Sequence, residues 1–438
     1  MFTTGTGDTT NMKNPVVLAF THQSQSSLDV CVDVSKSGLS WHHEGGSGIP
    51  GAAGMLAYTN AAVVAWLEQM LAAAKAAGLS GVRVICESTG GYHQRLLRLA
   101  RHKGCRTALV SGEQVKQMQV VESNDTGKSD HKDPRTMMLL VRLGKTLTDR
   151  ALDEEWAALR ELDANYTALE RDSTQAKNRI QMLLGQLFPD LSFKSDWLFD
   201  GAAARAVLEL FGFDPFTITA AGEATVRRRL RRKQVRPSTI ARLWRDAQEA
   251  IKQPTPTLWR GVRVQQLRDA YEDLHCAQQR RARVRAEMIA LLEQLQSRGK
   301  VKLRAQPDLI GAFLLARILA QTGPLGDFRS IEQLWRYAGM NLRPHQSGNH
   351  RGRERQAKRG RARLRHALNQ AVLKLVVRGQ LYGTYYHAKR AAGMPGPVAM
   401  TAVARKFLKL LFGLERSTAA YDPRRVFVCS SRHLCAAA

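Results

Sequence analysis

The sequence predicts an α/β domain, then a long helical region built around an antiparallel coiled coil, then a mainly α C-terminal domain. Three observations carry this. Residues 16–150 alternate strand-like and helix-like runs, the rhythm of a sheet with helices packed on it. From Leu152 apolar residues recur at three-four spacing as far as Leu187, and a second such run starts at Val264. After residue 303 only helix-length apolar patterns remain. The boundaries expected are 1–150, 151–300, 301–415 and a tail at 416–438.

In the first domain, Leu28 to Val34 alternates as a strand does, and Leu39 to His42 can pair with it across Ser35-Lys36-Ser37-Gly38. Glu44 to Gly54 reads as a flexible loop. Ala61 to Ala77 is an Ala/Leu-rich helix ended by Gly78, Val82 to Cys86 a β-branched strand, Tyr92 to His102 a helix and Arg106 to Val110 a strand. Pro134 to Leu143 forms a helix with proline in its first turn and Asp133 at the N-cap position. Between the two long helices lies a less regular insertion with its own basic patch, Arg227 to Arg236. Helices are then expected over Asp308 to Ala320, Ile331 to Ala338, Leu364 to Arg378 and Val398 to Leu414, with a surface or disordered tail.

Composition narrows the partners. At 438 residues, 44% of them apolar, the chain is long enough for more than one core. A formal charge of +28 works against compactness unless an anion screens it, and nucleic acid is the expected partner. No membrane-length apolar run or lipidation motif stands out, and the polar N-terminus lacks an apolar signal core. The six cysteines, Cys31, Cys86, Cys105, Cys276, Cys429 and Cys435, form no CxxC pair, which indicates a reducing, intracellular location without a zinc knuckle.

The basic stretch Asn341 to His366 packs eight arginines and one lysine against a single acid, Glu354. Such density cannot be a core and must face solvent or a polyanion. Arg343, Arg351, Arg353, Arg355, Lys358, Arg359, Arg361 and Arg363 supply donors that match phosphate oxygens, as do Arg228, Arg231 and Arg232 in the insertion and Lys128 further upstream. Ser347 sits where such donors can hold a phosphodiester beside it. A solvated basic face is the plain alternative.

Four acids stand at strand and helix ends: Asp33, Glu87, Asp130 and Asp133. Hard oxygen ligands of this kind suit magnesium, and two ions about 4 Å apart can clamp both oxygens of a phosphodiester exchange. Each acid also has a structural explanation, as a helix cap, a turn closure or a surface group. The pair His42-His43 is not a metal site, because adjacent strand residues point to opposite faces. Glu87-Ser88-Thr89-Gly90-Gly91 lacks the lysine of a phosphate-binding P-loop.

The segments LDVCVDVSKSGL, VICESTGGYHQRL and GKSDHKDPRTM, in that order, resemble the N-terminal domain of the DEDD transposases of the IS-one-ten insertion-sequence family. AKNRIQMLLGQLFP resembles the start of their central helical region. LGDFRSIEQLWRYAGMNLRPHQSG and RLRHALNQA resemble their C-terminal transposase domain. The resemblance implies a RuvC-like, RNase H-like fold at the N-terminus, with Asp33, Glu87, Asp130 and Asp133 as a magnesium-binding tetrad for two ions. It implies that Ser347 attacks DNA and forms a covalent phosphoserine link. Family members are recombinases of mobile elements, acting in the cytoplasm on nucleoid DNA, and some are guided by a structured non-coding RNA. Double-stranded DNA, such an RNA and a second or further copies of the chain (a dimer or tetramer) are therefore the expected partners. The chain departs from the family around Gly311, where AQPDLIGAFLLARI replaces an Ile-Pro-Gly type hairpin, and at Pro134, where alanine is common. Two other readings fit part of the sequence: a RuvC-like metal-dependent junction nuclease that uses water, and a non-catalytic nucleic-acid-binding relic.

Overall fold

A computed structural model describes residues 27–46, 48–87, 91–123, 133–193, 195–252, 256–304, 309–347, 350–356, 359–378, 380–417 and 421–422. The chain divides into two compact units, Met1–Ala151 and Leu152–Ala438.

The first unit is a mixed α/β sheet. Its strands are β1 (Leu28–Val34), β2 (Gly38–His43), β3 (Ala52–Ala57), β4 (Val82–Glu87), β5 (Arg106–Val110) and β6 (Leu147–Thr148). They lie in the order β3-β2-β1-β4-β5-β6. β1, β2 and β3 form an antiparallel meander, β1-β4-β5 run parallel, and β6 returns antiparallel. The helices are α1 (Asn60–Ala76), α2 (Tyr92–His102), α3 (Gly112–Ser123) and α4 (Asp133–Arg142). Thr59 caps α1 by accepting from the Ala62 amide at 3.2 Å.

Because strand side chains alternate, each of β1 and β4 builds two cores. Val30, Val32, Val84 and Cys86 pack beneath Val63, Trp66 and Leu67 of α1 and Leu96 and Leu97 of α2. Cys31 and Ile85, with Ala108 and Val110 of β5, pack beneath Val115 of α3 and Met137, Met138 and Leu140 of α4. The result is three layers with the sheet in the middle. One expectation fails here: part of the loop expected over Glu44 to Gly54 is the start of β3, which pairs with β2 along its whole length.

The second unit is largely helical. Two long helices, α5 (Glu154–Leu187) and α11 (Thr257–Ser297), enclose α6 (Ser195–Asp200), α7 (Ala202–Phe211), α8 (Pro215–Ala220), α9 (Glu223–Arg232) and α10 (Pro237–Ala250). The insertion expected to be irregular is thus a set of short helices. Proline opens α8 and α10, and left-handed Gly212 closes α7. α5 and α11 run antiparallel: Glu155 bonds Arg298 at 2.6 Å, Tyr166 bonds Arg281 at 3.0 Å, and Arg179 faces Asp273. Each buries a stripe at three-four spacing, Trp156, Leu159, Asp163, Tyr166, Leu169 and onward on α5, and Leu267, Ala270, Leu274 and Ala277 on α11.

The two ends of this helix pair carry different cores. At one end, Ile180, Leu183, Leu187, Leu267 and Leu274 pack with α6–α10. At the other, Trp156, Leu159, Met288, Leu292 and Leu295 pack with α12 (Ala312–Thr322), α13 (Ile331–Ala338), α14 (Ala362–Arg378) and α16 (Gly396–Arg416). α15 (Gln380–Ala391) joins them through Tyr382. Only one ion pair in this core has both members almost fully buried among the described residues: Arg317 of α12 and Asp163 of α5, 2.7 Å apart. Its leftover polar atoms are met by Gln321 on Asp163 at 2.6 Å and by Thr167, Gln370 and Glu170 around the guanidinium. That satisfaction is what makes a buried charge tolerable.

Between α13 and α14 the basic stretch forms a second, two-stranded sheet, β7 (Leu342–Ser347) antiparallel to β8 (His350–Gln356). Only helices were expected after residue 303. The helix expected from Asp308 begins at Ala312, behind Gly311.

Candidate active site

Asp33 lies next to the end of β1 and Glu87 ends β4. The parallel register pairs Cys31 with Ile85 and Val32 with Cys86, so its continuation sets Asp33 beside Glu87, about 5 Å apart along the backbone. Both have the parity of Cys31 and Ile85, and so share the sheet face covered by α3 and α4. α4 opens with Asp133 on that same face and packs against β1 and β2. Asp33, Glu87 and Asp133 are all half-buried.

α3, which no sequence pattern announced, leaves room for one of these acids and bonds another. An added Cβ at Gly112, its first residue, would overlap the Glu87 carboxylate, so only glycine leaves that carboxylate where it is. The position at a helix N-terminus also favours a negative charge. Further along α3, Gln119 donates its amide to Asp133. The Val34 amide donates to the Asp33 carboxylate at 2.9 Å.

The donor set fits magnesium in kind: carboxylate oxygens at the ends of rigid elements. Among the described residues no group of three or more His, Cys, Asp or Glu is gathered closely enough to hold an ion. Asp130 and Lys128 lie outside the described residues. Cys86 faces the opposite layer, and burial, with Asp149, Asp33 and Glu87 adding to it, pushes its thiol up to about 12. It is a core residue rather than a thiolate ligand. His42 and His43 both fall below the ordinary imidazole value, chiefly through burial.

Ser347 is the last residue of β7, opposite His350 of β8. Two residues, Gly348 and Asn349, separate the strands in sequence and lie outside the described residues. Pro344, which cannot donate to a ladder, coincides with a register shift in which Arg353 and Glu354 stand against it alone. Arg343 is paired with Arg355 and Arg351 with Gln346. The hairpin had one sequence signal, a Gly-Asn pair between two runs, but neither run alternates apolar with polar residues.

The remaining basic residues divide. Lys358 lies outside the described residues. Arg359 and Arg363 are exposed. Arg361 is built into the fold: its guanidinium donates to the Tyr337 hydroxyl at 2.8 Å, and its amide to the Tyr337 carbonyl at 2.9 Å. Arg365 likewise donates to the Ala338 carbonyl at 3.1 Å. These bonds lock the end of α13 to the start of α14 where Gly339 and Gly360, both at positive φ, pass in close contact. Arg228, Arg231 and Arg232 are exposed on α9.

Two family models match in the order of these features. Residues 56–189 match the DEDD transposase model of IS110 elements. Residues 309–387 match the model described as transposase of the IS116/IS110/IS902 family. The chain belongs to the IS110 family of transposases. It is also similar to an uncharacterized 44.8 kDa protein of insertion element IS116 from Streptomyces clavuligerus, 23% identical over 345 residues that make up 78% of this chain and 84% of that protein. As a transposase it binds, cuts and joins DNA. The first matched span of this transposase contains Glu87, Asp130 and Asp133, and the second contains Ser347; Asp33 precedes both. No helix among the described residues is long and apolar enough to cross a membrane.

Proposed function

We propose that this transposase exchanges DNA strands through a covalent phosphoserine at Ser347, with Asp33, Glu87, Asp130 and Asp133 as the magnesium-binding group. The observation that carries this is the placement of Asp33 and Glu87 side by side on the sheet face where α4 begins with Asp133. The sheet order and the mix of parallel and antiparallel strands support a RuvC-like, RNase H-like assignment for residues 1–150. The antiparallel pairing of α5 and α11 and their buried stripes support a coiled coil within 151–300, followed by a catalytic 301–415 and a tail at 416–438.

The chemistry follows from the groups. Two bound magnesium ions would polarise the scissile phosphate and ease loss of the serine proton. The Ser347 oxygen attacks phosphorus, an O–P bond forms, and the bond to one deoxyribose oxygen breaks as that oxygen takes up a proton. A hydroxyl from a second strand then attacks the phosphoserine and frees the serine. One phosphodiester is broken for each one made, so no nucleotide triphosphate is consumed. Arg343, Arg351, Arg353 and Arg355 stand on the same hairpin and neutralise charge on the phosphate. The acids and Ser347 lie more than 200 residues apart in sequence, so the proposed chemistry requires both to reach one phosphate, from one chain or from separate copies in a dimer or tetramer.

A structured guide RNA is the second partner proposed: the family resemblance implies it, and a formal charge of +28 is consistent with binding surface for two kinds of nucleic acid. The test of the chemistry is to incubate the protein with magnesium and labelled DNA from the element's own ends, then denature it. Label that migrates with the protein is expected. Free nicked ends without adduct would instead indicate attack by water. For RNA, a defined species should co-purify from cells. Full-rate recombination by nuclease-treated protein would contradict guidance.

A further inference from the structure

The insertion at the far end of the α5–α11 pair has its own apolar core, so it is a module rather than a loop. Its α9 buries Val226 and Leu230, one turn apart. On a helix of 3.6 residues per turn, Arg228, Arg231 and Arg232 then fall within an arc of about 100° opposite that buried edge. Neighbouring cations are neutralised locally: Arg227 bonds Glu223 at 2.6 Å and Lys233 bonds Glu209 at 2.9 Å. Arg228, Arg231 and Arg232 are exposed, and have no carboxylate partner among the described residues. Arg229 and Arg236 flank them, also exposed.

We propose that this face of α9 is a docking surface for the phosphate backbone of duplex DNA, remote from the serine hairpin. It takes its substrate from the proposed function and adds where a distal part of that substrate is held. Concentrated, uncompensated guanidinium groups are what polyphosphate selects. Single strands are disfavoured because the module shows no large exposed aromatic ring among its described residues to stack a base. Duplex DNA is the occupant because it is what a transposase cuts and joins, and a matched RNA duplex enters the test as the contrary outcome. The stalk sets the reach. Leu159 lies in the core beside α13 and α14, which carry the hairpin, and Leu187 in the core of the module. At 1.5 Å per residue the helix between them spans about 40 Å, or about 12 base pairs of DNA.

The test uses the full chain, without magnesium, and a random-sequence duplex of about 40 base pairs, since phosphate contacts are sequence-independent. Arg228→Gln/Arg231→Gln/Arg232→Gln is compared with a charge-matched control at exposed sites, Lys36→Gln/Lys75→Gln/Arg98→Gln. The α9 variant should bind about tenfold more weakly or worse, with a log–log salt slope lower by about 2.7. The control should bind as the unaltered protein does. Equal binding by both variants, or equal loss in both, would overturn the proposal, as would a loss confined to a matched RNA duplex. A readout free of any folding defect is phenylglyoxal modification of the unaltered protein: DNA should protect Arg228, Arg231 and Arg232, and unprotected arginines would also overturn it. A protein that binds through α9 yet never forms an adduct would refute the phosphoserine mechanism and leave this surface standing.

Discussion

The two candidate reactive regions are built in opposite ways. The carboxylate edge sits on a sheet with apolar layers on both faces; Asp133 accepts from Gln119, Asp33 from the Val34 amide, and the Glu87 carboxylate occupies space that Gly112 leaves free. The serine hairpin has almost nothing to bury. Its strands read LRPHQS and HRGRERQ, with one large apolar residue, and Arg343 faces Arg355 across the register. A lone two-stranded hairpin is marginal in water, and opposed like charges weaken it further. The difference teaches that the acids stand on a scaffold with its own apolar cores, whereas the hairpin has little apolar surface of its own to hold it.

The strongest way to break that contrast is at the acids. Asp33→Asn or Glu87→Gln should lower DNA cutting by about 10³-fold or more, since hard-metal sites supply several kcal/mol. Melting temperature should hold, because neither side chain belongs to a core. A variant with near-normal cutting would remove the carboxylates from the chemistry.

The buried ion pair of the second unit comes next. Arg317→Met strands Asp163 in a buried site and should destabilise the second unit by about 3–5 kcal/mol. Denaturant unfolding followed by tryptophan fluorescence checks this. A change under about 1 kcal/mol would show that the pair is not needed there.

Gly112→Ala sharpens the comparison within the first unit. Its Cβ displaces the Glu87 carboxylate, so cutting should drop about tenfold to hundredfold while α3 itself gains helix propensity. Unchanged cutting would mean that the carboxylate position tolerates a shift.

The smallest effect concerns pH. His42 and His43 have folded values below the ordinary 6.5, so the unfolded chain takes up protons first as pH falls. Stability of the first unit is therefore full above pH 6.5 and declines below it, while the hairpin's unit is untouched by these two groups. Scanning calorimetry of the Met1–Ala151 transition should show its midpoint falling between about pH 7.5 and about pH 5.5. A rising midpoint would contradict the assignment.

Much of the scaffold was legible in the chain. Strand β5 and helix α13 fall on the residues expected, because β-branched alternation and a Ser-to-Gly capped amphipathic run are local signals. β3 was not legible, since Ala52-Ala53-Gly54 has no β-branched residue and its pairing with β2 is tertiary. α6–α10 are punctuated by Gly201, Gly212, Pro215, Gly222 and Pro237, which reads as irregularity until the common core is seen. At the candidate site, strand ends marked Asp33 and Glu87 from sequence alone. The roles of Gly112 and Gln119 were hidden, because α3 leaves Val120 and Val121 exposed and its amphipathic pattern is weak. Arg361 looked like any other arginine of a basic run, and only the Tyr337 hydroxyl sets it apart.

The most direct test of the account is the covalent link itself. Ser347→Ala protein, incubated with magnesium and labelled element-end DNA and run on a denaturing gel, should give no protein–DNA adduct while still binding the duplex. Unaltered protein should give an adduct whose tryptic peptide carries the nucleotide on Ser347. An adduct of undiminished yield from Ser347→Ala would contradict it.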